Sequence, residues 1–247
     1  APLPVLAPAT PADCFTTMIE AFCIAIKYMT PVIVLMDAYL ANAAQPWSIP
    51  DIESLNIPQI DFNRYPKPFQ RNDDLSRSWN VPGSPGFIHQ LGGLEKQGDE
   101  GRVSYDASNH QKMVTLRAQK IAGIARDYEK LTVEGDPHAS ILLVGWGSTY
   151  GALKSAIMQC QTDGIPVALV HLRHLNPLPK DLESVLRSFK HVFVAELNSG
   201  QLCQLLRAQF LINAQSISQC NGQPFSTSTL VNAIKQEVNH EQTNVHA

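Results

Sequence analysis

The sequence predicts an α/β protein organised around a parallel sheet wrapped by helices, and three observations carry that expectation. Ile141 to Val144, Pro166 to His171 and His191 to Glu196 are short apolar runs without polar alternation, as strands covered on both faces are. Each is followed by apolar residues spaced three and four apart, which marks a helix with one buried stripe. The resulting βαβαβα order requires the strands to run parallel.

Taken from the start, Thr10-Pro11-Ala12-Asp13 has a hydroxyl cap, a proline at the first helical position and an acid in the first turn. The helix that follows is expected to bury Phe15, Ile19, Phe22 and Ile26. Pro31 to Met36 then reads as a buried strand ending at Asp37. One helix and one strand are fewer than a doubly wound domain needs, so the chain reads as beginning inside a domain.

Between Ala44 and Pro85 seven prolines interrupt a stretch with little apolar periodicity. A segment this long without regular elements is read as an extended connection or arm. Trp47, Phe62, Tyr65, Phe69 and Trp79 argue against plain disorder and suggest that the arm lies against another surface, such as a partner subunit. Asp106 to Leu131 is expected as one helix with Met113, Leu116, Ile121, Ile124, Tyr128 and Leu131 inward and Lys112, Lys120, Arg126 and Lys130 outward.

In the last part, Leu153, Ile157 and Cys160 form the stripe of the first helix; Leu182, Val185, Leu186 and Phe189 that of the second; Leu202, Leu205, Leu206 and Phe210 that of the third. Ala214 to Gln219 is expected as a short edge strand, and Ser226 or Thr227 as the cap of a last helix through Leu230, Ile234 and Val238.

Chemistry is expected where these strands end, because α/β sheets place their sites at the carboxyl ends of strands. Gly145, Gly147 and Ser148, then Arg173, and then Glu196, Asn198 and Gly200 stand on three such loops. Gly145-Trp-Gly-Ser-Thr-Tyr-Gly151 would turn free amides toward an anion or cofactor at a helix N-terminus. Its third glycine is displaced relative to the dinucleotide fingerprint, and the next strand ends at Arg173 rather than at the acid that would bind a ribose. An ordinary tight turn explains the same glycines and stays open beside the binding reading. Glu196, a carboxylate at the end of a buried strand, needs a partner. In the glycine-rich Gly83 to Gly101 stretch, His89 and Glu95 are a candidate acid/base pair, with a hydrogen-bonded loop histidine as the alternative.

The 247 residues are 44% hydrophobic, enough for a sizeable core. A net charge of −3 with scattered Lys and Arg provides no basic field for nucleic acid. The longest apolar stretch, Ala21 to Leu40, is broken by Lys27, Thr30, Pro31 and Asp37, so no membrane span is expected, and no signal peptide precedes it. Cys14, Cys23, Cys160, Cys203 and Cys220 include no C-x-x-C pair for zinc or an iron–sulfur cluster and are expected as reduced thiols of a cytoplasmic protein.

Several stretches together carry a family resemblance: Lys27-Tyr-Met-Thr-Pro-Val-Ile-Val-Leu-Met-Asp37 with Tyr39-Leu-Ala-Asn42, the Gly83 to Asp106 loop, Gly145 to Gly151, His174-Leu-Asn-Pro-Leu-Pro179 and Glu196-Leu-Asn-Ser-Gly-Gln-Leu202. In this order and spacing the chain resembles the C-terminal portion of the alpha subunit of 2-oxoacid:ferredoxin oxidoreductases, especially the 2-oxoglutarate type. The resemblance implies a division into residues 1–44, the end of a pyrimidine-binding domain; 45–105, an extended arm; 106–238, a transketolase-C-terminal-like domain; and 239–247, a tail. It also implies a thiamin diphosphate enzyme that decarboxylates a 2-oxoacid, hands the acyl group to coenzyme A and passes electrons to ferredoxin. The thiamin ylid supplies the electron sink, leaving positioning and electrostatics to the protein.

In such a hetero-oligomer a beta subunit would hold the diphosphate, the magnesium ion and an iron–sulfur cluster. The upstream half of the pyrimidine domain would carry the principal catalytic contacts, so no catalytic residue and no bound cofactor or metal is expected in this chain alone. Two other readings remain: a stand-alone nucleotide-binding module resting on Gly145, Gly147, Gly151 and Arg173, and a non-catalytic interaction subunit resting on the aromatic arm.

Overall fold

The computed structural model describes residues 2–55 and 57–245, with the backbone alone over 237–245. The first lobe is a small βαβ unit of Val5–Leu6 (β1), Asp13–Tyr28 (α1) and Ile33–Val34 (β2), in which the two strands pair in parallel. The Thr10 hydroxyl accepts the Asp13 amide at 3.2 Å, as the sequence led us to expect, and α1 ends at Met29 in the left-handed region with φ 45°.

The buried side of α1 is Thr17, Ala21, Ile24 and Tyr28, not the expected stripe; Phe22 of that stripe is 53% exposed. Both sides of this helix carry apolar residues, and packing is decided by small Ala21 and by a polar bond that Thr17 makes to a distant arginine. The run Pro31 to Met36 departs in the same way. Only Ile33 and Val34 pair, with a neighbour on one side, and Met36 is 53% exposed, so this is a short edge strand and not a buried one. Asp37 then accepts the Leu40 amide at 3.0 Å and caps Ala38–Asn42 (α2).

Between α2 and residue 106 the regular elements are one 3₁₀ turn, Ile52–Ser54, and a two-residue hairpin of Lys96–Gln97 (β3) with Arg102–Val103 (β4). The arm lies against this chain's own first lobe: Trp79 Nε1 donates to the Ile26 carbonyl at 2.8 Å, and the Trp47 and Phe15 ring centroids are 5.1 Å apart. Trp47 and Phe62 still stand about half exposed, at 46% and 49%.

Ala107–Gly123 (α3) is capped by Asp106, which accepts the Asn109 amide, and it passes at Gly123 into a 3₁₀ turn over Ile124–Arg126, short of the expected end at Leu131. Lys120, expected outside, turns inward and donates to the Tyr28 and Met29 carbonyls at the end of α1, at 2.7 and 3.2 Å. Those carbonyls have no intrahelical partner, and a cation there is favourable.

The remaining chain builds the predicted sheet: Glu134–Gly135 (β5), Ile141–Trp146 (β6), Tyr150–Thr162 (α4), Val167–Leu172 (β7), His174–Asn176 (β8), Leu182–Arg187 (α5), His191–Glu196 (β9), Gln201–Phe210 (α6), Ala214–Ser218 (β10) and Thr227–Val245 (α7). The strand order is β10-β9-β6-β7-β5, with the first four parallel and β5, which the sequence did not announce, antiparallel at the edge. Alternate residues serve opposite faces. Ile141 and Leu143 meet Leu153, Ile157 and Cys160 of α4 together with Leu230 and Ile234 of α7, whereas Leu142 and Val144 meet Leu182 and Leu186 of α5 and Leu202 and Leu206 of α6. Helices on both faces are why the strands read as unbroken apolar runs.

The helix α7 continues across most of the 239–247 segment expected as a tail, and the Val238 side chain lies outside the described residues. After β7 the chain leaves the large sheet, and β8 pairs antiparallel with β1, giving the small sheet the order β2-β1-β8.

Candidate functional site

In the large sheet the chain passes from β6 to β7 on one side and later returns to place β9 on the other. The strand order therefore reverses between the carboxyl ends of β6 and β9, where open α/β sheets leave a crevice. A cleft of about 300 Å³ lies there, lined by Trp146, Gly147, Ser148, Leu197, Asn198 and Gln201, and closed from the first lobe by Leu35, Met36 and Asp37.

The β6 side is built by the glycine turn. A Cβ at Gly145 would sit 2.1 Å from Leu153 Cδ1 and 2.7 Å from Thr149 Oγ1, so only glycine lets α4 approach the strand this closely. Gly147 supplies a φ of +60°. The Thr149 hydroxyl accepts the Trp146 amide at 3.1 Å and donates to the Trp146 carbonyl at 2.8 Å, locking the turn. Gly151 sits in α4 with open space where a Cβ would be, so the third glycine of the fingerprint has no packing role.

The β9 side is built around Glu196, which is fully buried. Its carboxylate accepts the Leu202 and Cys203 amides of α6 at 2.8 and 2.9 Å, the Asn198 side-chain amide at 3.0 Å and the Trp146 indole N–H at 3.3 Å. This is the partner that a buried carboxylate requires: the positive end of α6 and two further donors, joined to the opposite wall through Trp146. Asn198 Oδ1 accepts the Gly200 and Gln201 amides, and Gly200 adopts φ +82° as the helix begins.

Of the residues singled out in the sequence, Gly147, Ser148 and Asn198 line one crevice, and Gly145, Glu196 and Gly200 stand in the turns that build its walls. The geometry does not favour a nucleotide there. The N-terminus of α6 is filled by Glu196, and Ser148 donates its hydroxyl to Asp37, so an incoming phosphate would meet a carboxylate. Asp37 is the member of this cleft that the sequence did not reveal, since it lies 111 residues from Ser148.

Arg173 lies elsewhere. Its Nε contacts Asp13 Oδ2 at 2.9 Å, Nη1 contacts Glu20 Oε2 at 3.2 Å, and Nη2 donates to the Thr17 hydroxyl at 2.9 Å. It ties α1 to the end of β7 and is not free to join Gly145, Gly147 and Gly151 in a nucleotide site. Beside it, His174 bonds Glu20 and stacks on Tyr128 with centroids 3.7 Å apart. His171 sits between the two regions, with Nε2 3.0 Å from the Gly147 carbonyl and its ring edge-on to Tyr150; burial drives its pKa down to about 4.

His89 and Glu95 do not form the candidate acid/base pair; His89 is the hydrogen-bonded loop histidine of the alternative reading. His89 Nδ1 lies 2.5 Å from the Phe87 carbonyl and its ring meets Phe69 edge-on. Glu95 is held by Arg117 at 2.8 Å and His110 at 3.0 Å. Chiefly through the Arg117 bond, the Glu95 pKa falls to about 2, which leaves a weak base.

Among the described residues no three His, Cys, Asp or Glu side chains converge to hold a metal. The donors do not fit an iron–sulfur cluster, because Cys160 and Cys203 are buried on opposite faces of the large sheet and Cys220 is exposed. No helix among them is long and apolar enough to cross a membrane.

Two family models match the chain. The thiamine-diphosphate-binding domain of pyruvate flavodoxin/ferredoxin oxidoreductases matches residues 1–92, and core domain II of pyruvate:ferredoxin oxidoreductase matches residues 139–230. The 2-oxoglutarate oxidoreductase subunit KorA of Mycobacterium tuberculosis is 44% identical over 91% of this chain and 35% of its own length. A 2-oxoacid:ferredoxin oxidoreductase 2 alpha subunit of Aeropyrum pernix is 31% identical over 96% of this chain and 38% of its own. Among solved structures, the 2-oxoglutarate:ferredoxin oxidoreductase from Magnetococcus marinus with 2-oxoglutarate, coenzyme A and succinyl-CoA bound superposes with a TM-score of 0.88 at 30% identity, over 96% of this chain and 42% of that one. The chain thus spans well under half of these relatives.

Proposed function

The chain belongs to the alpha-subunit family of 2-oxoacid:ferredoxin oxidoreductases, and from that membership we propose that it works within a complex that oxidatively decarboxylates 2-oxoglutarate to an acyl-CoA and delivers the electrons to ferredoxin. The observation that carries the proposal is the superposition of nearly the whole chain, both lobes and the arm included, on a 2-oxoglutarate-bound relative. Residues 1–44 would close a pyrimidine-binding domain, 45–105 would form the connecting arm, and 106–238 would form the transketolase-C-terminal-like domain.

The cofactor of such a complex is thiamin diphosphate, which supplies the electron sink for the carbanion. This chain's part is to hold surfaces in place. Arg173 and β8 fix α1 against the large sheet, Glu196 and Trp146 stiffen the crevice wall, and the Asp37–Ser148 contact sets the first lobe over it. The diphosphate with its magnesium ion, and the iron–sulfur cluster, would lie on a beta subunit. The proteins would assemble as a hetero-oligomer in the cytoplasm.

Assembled with a beta partner, the full-length alpha subunit should reduce ferredoxin or a viologen dye in the presence of coenzyme A and 2-oxoglutarate. A complex that ignores every 2-oxoacid and responds only to a nicotinamide cofactor would overturn the proposal.

A further inference from the structure

Under the turn at 91–96, where the arm meets α3, positive charge outnumbers negative charge. Arg71 and Arg77 face each other across an isolated antiparallel bridge, a placement that like charges ordinarily avoid. Both are partly buried, and they line a cavity of about 200 Å³ together with Arg117, Lys96, Phe69, Met113 and one carboxylate, Glu95. Lys96 is only 6% exposed.

The partners these cations have are neutral. Arg71 donates to the Leu75 carbonyl at 2.6 Å. Arg77 reaches the Met29 sulfur at 3.3 Å and stacks on the Phe69 ring at 4.1 Å. Lys96 donates to the Gly92 and Leu94 carbonyls at 2.8 and 2.5 Å. Lys120, just behind, is committed to the end of α1.

Of the acids nearby, Glu95 holds Arg117 and His110 and Asp74 accepts from the Ser76 hydroxyl and amide, while Asp99 and Glu95 act on Arg71 through space without forming an ion pair with it. Among the described residues Arg71, Arg77, Lys96 and Lys120 form no ion pair. Burial and the neighbouring Arg71 and Arg77 charges push the Lys120 pKa down to about 8, a second sign that this region carries uncompensated positive charge.

Clustering half-buried guanidinium groups around a cavity is unfavourable unless an anion completes it, and planar N–H forks match oxyanions in pairs of hydrogen bonds. We propose that Arg71 and Arg77, with Lys96 behind them, bind a small dianion of the phosphate or dicarboxylate kind in this cavity, beside the closed Arg117–Glu95 pair. Its size suits a phosphate group or a short dicarboxylate, and Phe69, Leu94 and Met113 would cover whatever carbon skeleton the charges leave. The assignment stands apart from the oxidoreductase reading, because it concerns binding without turnover.

The test is calorimetric titration of the chain with inorganic phosphate and, separately, with succinate, against chloride at equal ionic strength. One dianion should bind saturably at one equivalent, and the preferred one separates a tetrahedral from a dicarboxylate ligand. Arg77→Gln and Arg71→Gln should each weaken binding about ten-fold or more, while Arg77→Lys, which keeps charge but not the fork, should fall between. Without the anion, Arg77→Gln should melt no lower than the parent chain, because a repulsion has been relieved. Protection of Arg71 and Arg77 from phenylglyoxal by the preferred anion gives the same answer on the unaltered chain, should a variant fail to fold. Neither dianion exceeding chloride, unchanged affinity in folded Gln variants, or absence of protection would each overturn the site.

Discussion

Arg173→Met removes the one side chain that binds three residues of α1 from the far side of the structure. The contacts at 2.9, 3.2 and 2.9 Å go to Asp13, Glu20 and Thr17. The Asp13 and Glu20 side chains are only 18% and 30% exposed, so they are desolvated well beyond a surface pair, for which about 0–1 kcal/mol would be expected. They are also short of the full burial at which leaving a charge unpaired costs about 3–5 kcal/mol, so we expect a loss of about 2–3 kcal/mol. That corresponds to a melting temperature lower by about 4–10 °C.

Burial acts to raise the pKa of both carboxyls. For Asp13, bonds from Thr16, the Ala9 amide and Arg173 outweigh it; for Glu20, His174 and Arg173 do, so both end below their ordinary values. Carboxylates depressed in the folded state stabilise above their unfolded pKa and lose that contribution as pH falls through the folded one. A double-mutant cycle of Arg173→Met with Asp13→Asn, read by urea unfolding, should therefore give a coupling of about 1–2 kcal/mol near neutrality that is lost only as pH falls through the depressed pKa of the folded Asp13. A coupling under about 0.3 kcal/mol near neutrality, the level of independent sites, would refute the reasoning.

Three other outcomes follow from the same geometry. Glu196→Gln keeps the shape but turns an N–H₂ toward donors that need an acceptor, so denaturant unfolding should show a loss of about 2–4 kcal/mol; a loss under about 0.5 kcal/mol would mean that α6 does not depend on this cap. Gly145→Ala should cost about 1–3 kcal/mol through the contact with Leu153, while Gly151→Ala should be neutral or stabilise by up to about 1 kcal/mol; equal effects would contradict the packing described. The depressed His171 pKa means that only the unfolded chain takes up its proton as pH falls from about 6.5 to 4, so up to about 3 kcal/mol of stability should be lost across that window, and His171→Asn should flatten this part of the curve.

The large sheet was readable because its strands are covered twice and its helices once, and both patterns are local. Ile141 to Val144 and the stripe Leu153, Ile157, Cys160 needed no knowledge of distant partners. The first lobe was misread where a distant residue decides. Thr17 is buried because Arg173 awaits its hydroxyl 156 residues later, and that contact selects which side of α1 faces in. The apolar Pro31 to Met36 run gives no hint that one neighbouring strand, rather than two, awaits it.

The crevice was half legible for the same reason. Gly145, Gly147, Glu196 and Asn198 announce turns and a buried charge, but Asp37 reads as an ordinary cap of α2, which it also is. Arg173 looks available at the end of a strand until Asp13 and Glu20, 160 and 153 residues earlier, are placed beside it. His89 and Glu95 were paired by proximity in sequence, whereas Arg117 and His110 on α3 claim the acid.

The excursion of β8 into the small sheet has a mechanical consequence. One continuous stretch of backbone, from Val167 to Asn176, is hydrogen-bonded first into one sheet and then into the other, and the Ala7 amide donates to the Arg173 carbonyl at 2.8 Å at the crossing. A hinge would need a compliant joint at that point, and the structure puts a ladder there. The two lobes should therefore move as one stiff body, and any change in the width of the crevice has to come from Asp37, Ser148 and the side chains around them.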